Sequence, residues 1–259
     1  MKILLPSSFI IFLQVLTTIS HTCKASTALP KFTALLVFGD STVDTGNNNY
    51  VLTLLQANHI PYGQAYPGQV PTGRFSDGKL IPDLIASTLG IKESVPPFLD
   101  PTISNDELRT GVTFASAGSG FDDLTAAASG VIPFSKQILY FKSYIERLKG
   151  FVGEAEAMKI INGALVSISA ATNDFGVTFY GLPIRRKQFT IGGYQDFLQI
   201  KIKEFVQVKH AYSTFCPHKN ASHTYDLCTI GYALTWYCHM NPKKLYKKRS
   251  FCILTKRCG

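Results

Sequence analysis

The sequence lacks any apolar run long enough to cross a membrane. A transmembrane helix needs about 20 consecutive apolar residues, whereas the apolar stretch near the N-terminus runs only from Phe9 to Leu16. Lys2 precedes this stretch and small residues surround Ala25, which is the pattern of a secretory signal peptide. The sequence therefore predicts a signal peptide over residues 1–25, a mature start at Ser26 or Thr27, and a secreted product outside the cell or in the cell wall.

Cysteine is absent between Cys23 and Cys216. Cys23 would leave with the signal peptide, and the odd number that remains leaves at least one thiol without an internal partner. These remaining cysteines are Cys216, Cys228, Cys238, Cys252 and Cys258. No pair has the CxxC spacing of paired zinc ligands. We expect no metal and no cofactor, and keep zinc bound by cysteines and histidines of the tail as the alternative.

Acidic residues are scarce in the last part of the chain. The first 200 residues hold 15 basic and 15 acidic side chains, whereas the rest holds 11 basic and 2 acidic ones, which gives the net charge of +9. The run from Lys243 to Arg249 could bind anionic lipid or a cell-wall polymer, and nucleic acid is not expected in a secreted protein. We predict a folded domain over residues 26–206 and an atypical basic, cysteine-containing tail over 207–259.

Apolar runs and helical patterns alternate over residues 32–206. The 46% hydrophobic content is enough for one sizeable core, and alternating strands and helices favour a mostly parallel sheet. Strands are predicted at 34–38, 111–115 and 163–170. Helices are predicted at Lys79–Leu89, at 135–149 with Ser135 as cap and Gly150 as end, at Glu154–Ile161, at Gly193–Val206 with Phe197, Ile200 and Phe205 on one side, and from Tyr50 to Gln56. Residues 59–78 are predicted to form a loop that Arg74 and Asp77 hold in place.

Each predicted strand ends in a small or polar turn. The first is followed by Gly39-Asp40-Ser41, the second by Gly118-Ser119-Gly120 and the third by Asn173-Asp174. The carboxyl ends of parallel strands lie at one edge of the sheet, where open α/β folds bind their ligands. A serine on a turn next to glycine presents its hydroxyl as a nucleophile does. The alternative is that Ser41 only caps a helix.

The stretch FGDSTVDTGNNN at 38–49 resembles the first block of the plant GDSL esterase/lipases, within the SGNH hydrolase superfamily. Thr42 stands where that block usually has Leu, and later blocks match in order, with Thr113 in place of Asn and Ala171 in place of Gly. The resemblance covers about residues 32–206. It implies a three-layer, flavodoxin-like SGNH-hydrolase fold with a mostly parallel sheet, which we expect to be C-terminally incomplete here.

The resemblance also implies the roles of the turn residues. Ser41 would be the nucleophile, and Ser41, Gly118 and Asn173 would supply the oxyanion hole, with Gly39 and Asp40 supporting the turn. The substrate would be a carboxylic ester of a lipid or an acylated small molecule, and the protein would act as a monomer. Asn220-Ala221-Ser222 is an acceptor motif for N-glycosylation.

The family's catalytic Asp-x-x-His element is missing from the sequence, because no aspartate has a histidine three residues after it. A serine hydroxyl needs a histidine base and an acid that orients it. His210, His218, His223 and His239 lie in a segment that shows no pattern for docking beside the sheet. We therefore predict an impaired esterase whose tail replaces the usual final third, for example through a translated intron. The alternative is an inactive binding variant.

Overall fold

The computed structural model describes residues 31–212, with side chains up to Phe205, and the backbone of residues 252–254. The predicted signal peptide, Asn220 and nearly all of the tail lie outside the described residues. The elements are β1 (Leu35–Gly39), α1 (Ile81–Thr88), α2 (Asn105–Arg109), α3 (Asp123–Ser129), α4 (Phe134–Val152), α5 (Glu154–Gly163), β2 (Leu165–Ser169), α6 (Ile191–Tyr212) and β3 (Cys252–Leu254). Short 3₁₀ turns cover Asn47–Tyr50 and Arg185–Lys187, and a π-helix covers Asp174–Gly181.

The sheet is built on the parallel pair β1 and β2, in which Leu35 lies opposite Leu165 and Gly39 opposite Ser169. β3 adds an antiparallel edge to β2, with Val166 opposite Leu254. The mostly parallel sheet is therefore confirmed. The β3 strand was not predicted, because it lies in residues 207–259, which were expected to form a tail outside the folded domain.

The predicted strand at 111–115 runs parallel to β1 but is not a regular strand. Val37 N–H donates to the Val112 carbonyl and Phe114 N–H donates back to Val37, at 3.1 and 2.7 Å. On the other side Thr113 pairs with Pro97 as an isolated bridge. The Ala115 N–H turns instead to the hydroxyl of Thr113, at 3.2 Å. The ladder on that side ends there because this donor is already used.

Helices cover both faces of the sheet, as an alternating strand pattern requires. Leu36 and Phe38 face a large core built with α4, α5 and α6. Leu35 and Val37 face a smaller core that includes Ala86 of α1. The chain is therefore a three-layer α/β fold, as predicted. No helix among the described residues has the length and apolarity that a bilayer crossing requires.

The ends of α4 differ from the prediction. Pro133, not Ser135, lies at the N-cap, and Gly150 is inside the helix, which continues to Val152. The helix stops at Gly153, whose φ of 82° belongs to the left-handed region. Gly150 keeps a helical conformation, and glycine in a helix costs only about 1 kcal/mol, so packing along α4 overrides it.

Two other helix predictions need correction. Residues 51–56 are not helical. Their carbonyl groups accept hydrogen bonds from side chains instead of helical N–H groups: the Asn48 amide donates to Leu55, and the Gln56 amide donates to Val51. In α6 the prediction that Phe197, Ile200 and Phe205 share the buried side is wrong for Ile200, which is 54% exposed. The buried face carries Tyr194, Leu198, Ile202 and Phe205. The helix itself, like those at 81–88 and 154–163, is confirmed.

Candidate functional site

The turn after β1 carries the predicted nucleophile. Gly39 has a φ of 136°, and a Cβ there would lie 1.9 Å from the Ser169 carbonyl oxygen of β2. Asp40 N–H donates to that same oxygen at 2.9 Å. The carboxylate of Asp40 then accepts hydrogen bonds from the Thr42 amide and hydroxyl, at 3.0 and 2.8 Å. These bonds fix the chain on both sides of Ser41, which is half-buried.

The rest of the first motif binds the second one. Asp44 accepts the N–H of Ala117 at 2.9 Å, and its other oxygen accepts the N–H groups of Gly46 and Asn47. The Asn47 amide donates to the carbonyls of Thr113 and Ala115, at 3.0 and 2.8 Å. Neither Asp44 nor Asn47 had a predicted role. Both side chains are buried, and their hydrogen bonds to residues 113–117 position the two turns against each other.

Asn48 completes this connection. Its amide donates to the Ala117 carbonyl at 3.0 Å, and its oxygen accepts the Ser116 hydroxyl at 2.5 Å. Gly118 follows directly, with a φ of 88° that favours glycine. The turn after the second strand is thereby held beside the turn after the first.

The third turn meets the second through Asn173. Its side-chain amide donates to the Ser119 carbonyl at 2.9 Å. Asn173 is half-buried and directly precedes the π-helix, whose first residue Asp174 is fully buried. The structure thus places Asn173 against the Gly118-Ser119 turn, and that turn against the Gly39-Ser41 turn.

Gln137 of α4 is another positioning residue without a predicted role. Its side chain accepts from Gly39 N–H at 2.9 Å and donates to the Gly39 carbonyl at 3.0 Å and to the Ser119 hydroxyl at 3.1 Å. Gln137 is fully buried. The available signal was a polar residue three positions after Phe134 and four before Phe141, on the apolar face of the helix.

Three hydrogen-bond donors near these turns have capacity to spare. Among the described residues, no acceptor is found for the backbone N–H of Ser41 or of Gly118. The Asn173 amide uses one of its two hydrogens on Ser119. Unused donors next to a serine are what a developing oxyanion requires.

Burial raises the pKa of both carboxyl groups in the first motif. Desolvation is the main cause for Asp40 and for Asp44, and hydrogen bonds from neighbouring backbone groups only partly oppose it, so that each pKa is about 6. Neither carboxylate is shared with a described histidine. His59, in the exposed loop, is hydrogen-bonded through Nδ1 to the Ile60 carbonyl.

A second group of carboxylates lies behind Asn173. Asp174 accepts the N–H groups of Phe121 and Asp122 and the hydroxyl of Thr125, the last at 2.6 Å. Burial raises its pKa to about 7. Burial alone would raise the pKa of Asp122, but the Arg185 guanidinium, with Nε 2.6 Å from Oδ2, the Leu124 N–H and the Tyr194 hydroxyl together outweigh it, and the pKa is lowered.

The loop at 59–78 is confirmed, and Arg74 holds it as predicted, whereas the contact found for Asp77 is through its backbone carbonyl, which accepts the Ala65 N–H at 2.6 Å. The guanidinium of Arg74 forms two hydrogen bonds with Asp83 of α1, at 2.8 and 2.9 Å, and donates to the Val95 carbonyl. Both side chains are buried. This ion pair stabilises the loop and is not part of the candidate site. In the part of the chain that the structure describes, no cluster of three metal-ligating side chains occurs.

Comparison with known proteins gives a consistent picture. The family model for the GDSL-like lipase/acylhydrolase family matches residues 35–229. The GDSL esterase/lipase At2g30220 of Arabidopsis thaliana is 52% identical over 214 residues, which is 81% of this chain and 59% of that protein. GDSL esterase/lipase At2g30310 of the same plant is 51% identical over 80% of this chain and 58% of its own length.

The chain therefore spans somewhat under two thirds of the length of these curated relatives. The matched region includes all three turns described above. The family model covers well over half of the chain, and the relatives share about half of their aligned residues with it. The chain belongs to the GDSL-like lipase/acylhydrolase family.

Proposed function

We propose that this chain carries the nucleophile and the oxyanion hole of a secreted serine esterase. Its substrates would be carboxylic esters of lipids or of acylated small molecules. The Phe9–Leu16 stretch supports export from the cell, and the family supports the ester bond as the target. The single observation that supports the assignment is that the turns carrying Ser41, Gly118 and Asn173 are hydrogen-bonded to one another, through Gln137, Asp44 and Asn173 itself, while donors on them stay unused.

The chemistry follows from these positions. The Ser41 hydroxyl oxygen attacks the ester carbonyl carbon, and the carbonyl oxygen takes up the negative charge as the new C–O bond forms. The N–H groups of Ser41 and Gly118 and the amide of Asn173 are the proposed donors to that oxygen. The alcohol leaves with a proton, and water then releases the acid from acyl-Ser41. Removal of one such donor typically lowers kcat about 10²–10³-fold.

The proton of Ser41 needs an acceptor, and this limits the rate. The Asp-x-x-His element is absent from the sequence, and Asp40 is engaged by Thr42. Enzymes that lose triad members keep about 10³–10⁴-fold acceleration over water from the oxyanion hole and binding. We expect ester turnover at least about a thousandfold below that of a relative with the complete triad. The second candidate, which the same absence favours, is a protein that binds esters without cleaving them.

The test is covalent labelling by a short alkyl fluorophosphonate. If the proposal is right, intact-mass and peptide analysis finds one adduct on Ser41, formed slowly but faster than on any other serine. Ser41→Ala should abolish it. Ser143→Ala is the matched control, because Ser143 is exposed on α4 and bonds only to the Leu139 carbonyl.

One result would contradict the proposal, and another would contradict only the slow rate expected for it. Labelling spread equally over exposed serines would mean that Ser41 is not activated, which favours the binding protein. Fast turnover of a chromogenic ester that Ser41→Ala abolishes would mean that a base is present after all. His→Gln substitutions at His210, His218, His223 and His239 would then identify it.

A further inference from the structure

The loop between the first motif and Arg74 combines apolar exposure with a complete lack of charge. No Asp, Glu, Lys or Arg occurs between Asp44 and Arg74. Leu52 and Leu54 are fully exposed, and Ile60 and Val70 are 82% and 53% exposed. Leu52 and Leu54 lie two residues apart on one turn, so their exposed side chains form a local apolar feature of the kind that marks an interaction site.

The exposure is imposed by a fixed backbone. The Asn48 amide donates to the Leu55 carbonyl at 2.7 Å, and Gln56 donates to the carbonyls of Asn48 and Val51. Leu55 N–H bonds to the Thr53 hydroxyl at 3.2 Å. Because these bonds hold the chain on both sides of Leu52 and Leu54, the two leucines project into solvent from an ordered turn.

The loop also adjoins the candidate site. A Cβ on Gly118 would lie 2.5 Å from a methyl group of Leu55, so Leu55 lies directly against the proposed oxyanion donor. Asn48 holds both Leu55 and the Ala117 carbonyl that precedes Gly118. Whatever binds Leu52 and Leu54 is therefore brought close to Gly118, one of the proposed oxyanion donors.

We propose that residues 50–60, here called the leucine loop, insert into a neutral lipid surface and present its esters to Ser41. An uncharged loop with projecting leucines suits the boundary of headgroups and acyl chains, where binding increases with buried apolar area. A charged partner is disfavoured because the loop offers no charge to pair with. The proposal rests on the proposed function only for the ester, since lipid binding needs no turnover.

The experiment measures partition of the full chain onto phosphatidylcholine vesicles in 0.5 M NaCl. That salt shortens the screening length to under about 5 Å and suppresses attraction by the basic tail. Leu52→Ser/Leu54→Ser should lower the partition coefficient at least about tenfold. Leu139→Ser/Ile200→Ser should leave it unchanged, because those residues are equally apolar but only about half exposed, on α4 and α6 among charged neighbours.

A local measurement separates the leucine loop from the apolar N-terminus, which all variants share. Tryptophan in Leu54→Trp should be quenched by brominated lipid, whereas tryptophan in Leu139→Trp should not, relative to the native Trp236 signal. Equal partition of all variants without quenching of Leu54→Trp would overturn the proposal. Dimers that dissociate on Leu52→Ser/Leu54→Ser, with partition unchanged, would overturn it too, in favour of contact between two copies.

Labelling of Ser41 in the absence of vesicles tests the serine esterase proposal separately from lipid binding by the leucine loop. Leu52→Ser/Leu54→Ser should react with the short fluorophosphonate at the wild-type rate. If no variant is labelled while vesicle binding depends on the leucine loop, the serine esterase proposal fails and the lipid surface stands. Loss of labelling in the double variant alone would mean that the loop shapes the site itself, which contradicts the role proposed here.

Discussion

The turns after β1 and β2 both require a backbone with positive φ, but a different residue adopts it in each turn. Both contain a residue with positive φ, which is Gly39 at 136° after β1 and Ala171 at 89° after β2. At Gly39 the neighbouring Ser169 carbonyl occupies the place of a side chain. At Ala171 the methyl group is buried in the large core. The first turn therefore excludes every residue except glycine, whereas the second accepts a side chain and carries backbone strain two residues before Asn173.

The two turns also differ in the groups that surround their buried carboxylates. Asp44 is surrounded by backbone N–H groups of residues on its own motif and on Ala117. Asp174 shares its environment with Asp122, whose negative charge adds to the effect of burial. A pH change near 7 should therefore alter the charge of Asp174, beside Asn173, more than the charge of Asp44, in the motif of Ser41.

The largest effect is expected for Gly39→Ala. The added methyl would meet a backbone oxygen at 1.9 Å, and neither strand can move without losing the β1–β2 pairing. With the cost of positive φ added, we expect a loss of more than about 3 kcal/mol in the free energy of unfolding. Urea denaturation followed by circular dichroism measures it.

The matched control is Gly130→Ala, at the end of α3. Gly130 has a φ of 64° and no atom within 4 Å of the added methyl, so only the backbone term of about 1 kcal/mol applies. Equal losses in the two variants would show that close approach to Ser169 does not matter. If Gly39→Ala fails to fold while Gly130→Ala folds, the expected order still holds.

The next effect is a pH dependence that belongs to Asp174. The unfolded chain releases this proton near its ordinary pKa of 3.8, whereas the folded state keeps it up to about 7. The folded state binds more protons in between, so the free energy of unfolding should fall as pH rises from about 4 to about 7 and then level off. At about 1.4 kcal/mol per pKa unit, the fall is at most about 4 kcal/mol.

Asparagine variants show how much of this pH dependence comes from Asp174 and how much from Asp44. Asp174→Asn should lose clearly less stability than wild type between pH 6 and 7, with the remainder coming from Asp40 and Asp44, whose pKa values are about 6. Asp44→Asn should keep most of the loss between pH 6 and 7 and change mainly the part below, because the pKa of Asp44 is about 6. Denaturation midpoints at pH 4, 5, 6, 7 and 8 give the comparison. An unchanged slope above pH 6 in Asp174→Asn would show that another group titrates.

The smallest effect is expected for Ala171→Gly. Relief of positive φ should stabilise the fold, but the loss of a buried methyl and the added freedom of the unfolded chain oppose it. We expect a gain of no more than about 1 kcal/mol, measured as a rise in Tm. Ala170→Gly, at a neighbour without positive φ, should lower Tm instead. A lowered Tm in both variants would mean that Ala171 is not strained.

The sequence by itself determined the order of the elements and the place of the candidate residues. Apolar runs ending in Gly39, in residues 111–118 and in Asn173 follow from the local pattern of β-branched and small residues. Helical spacing likewise placed α1, α5 and α6 to within a few residues. These features depend on neighbours along the chain, and a sequence displays such neighbours directly.

Only the tertiary structure decided what holds the turns together. Gln137 binds Gly39 and Ser119 from 98 and 18 residues away, and Asp44 reaches Ala117 across 73. The end of α4 at Gly153 and the exposure of Leu52 and Leu54 depend in the same way on packing and distant partners. Buried polar groups must find hydrogen-bond partners wherever the fold brings them, and that choice is made in space, between residues that the sequence keeps far apart.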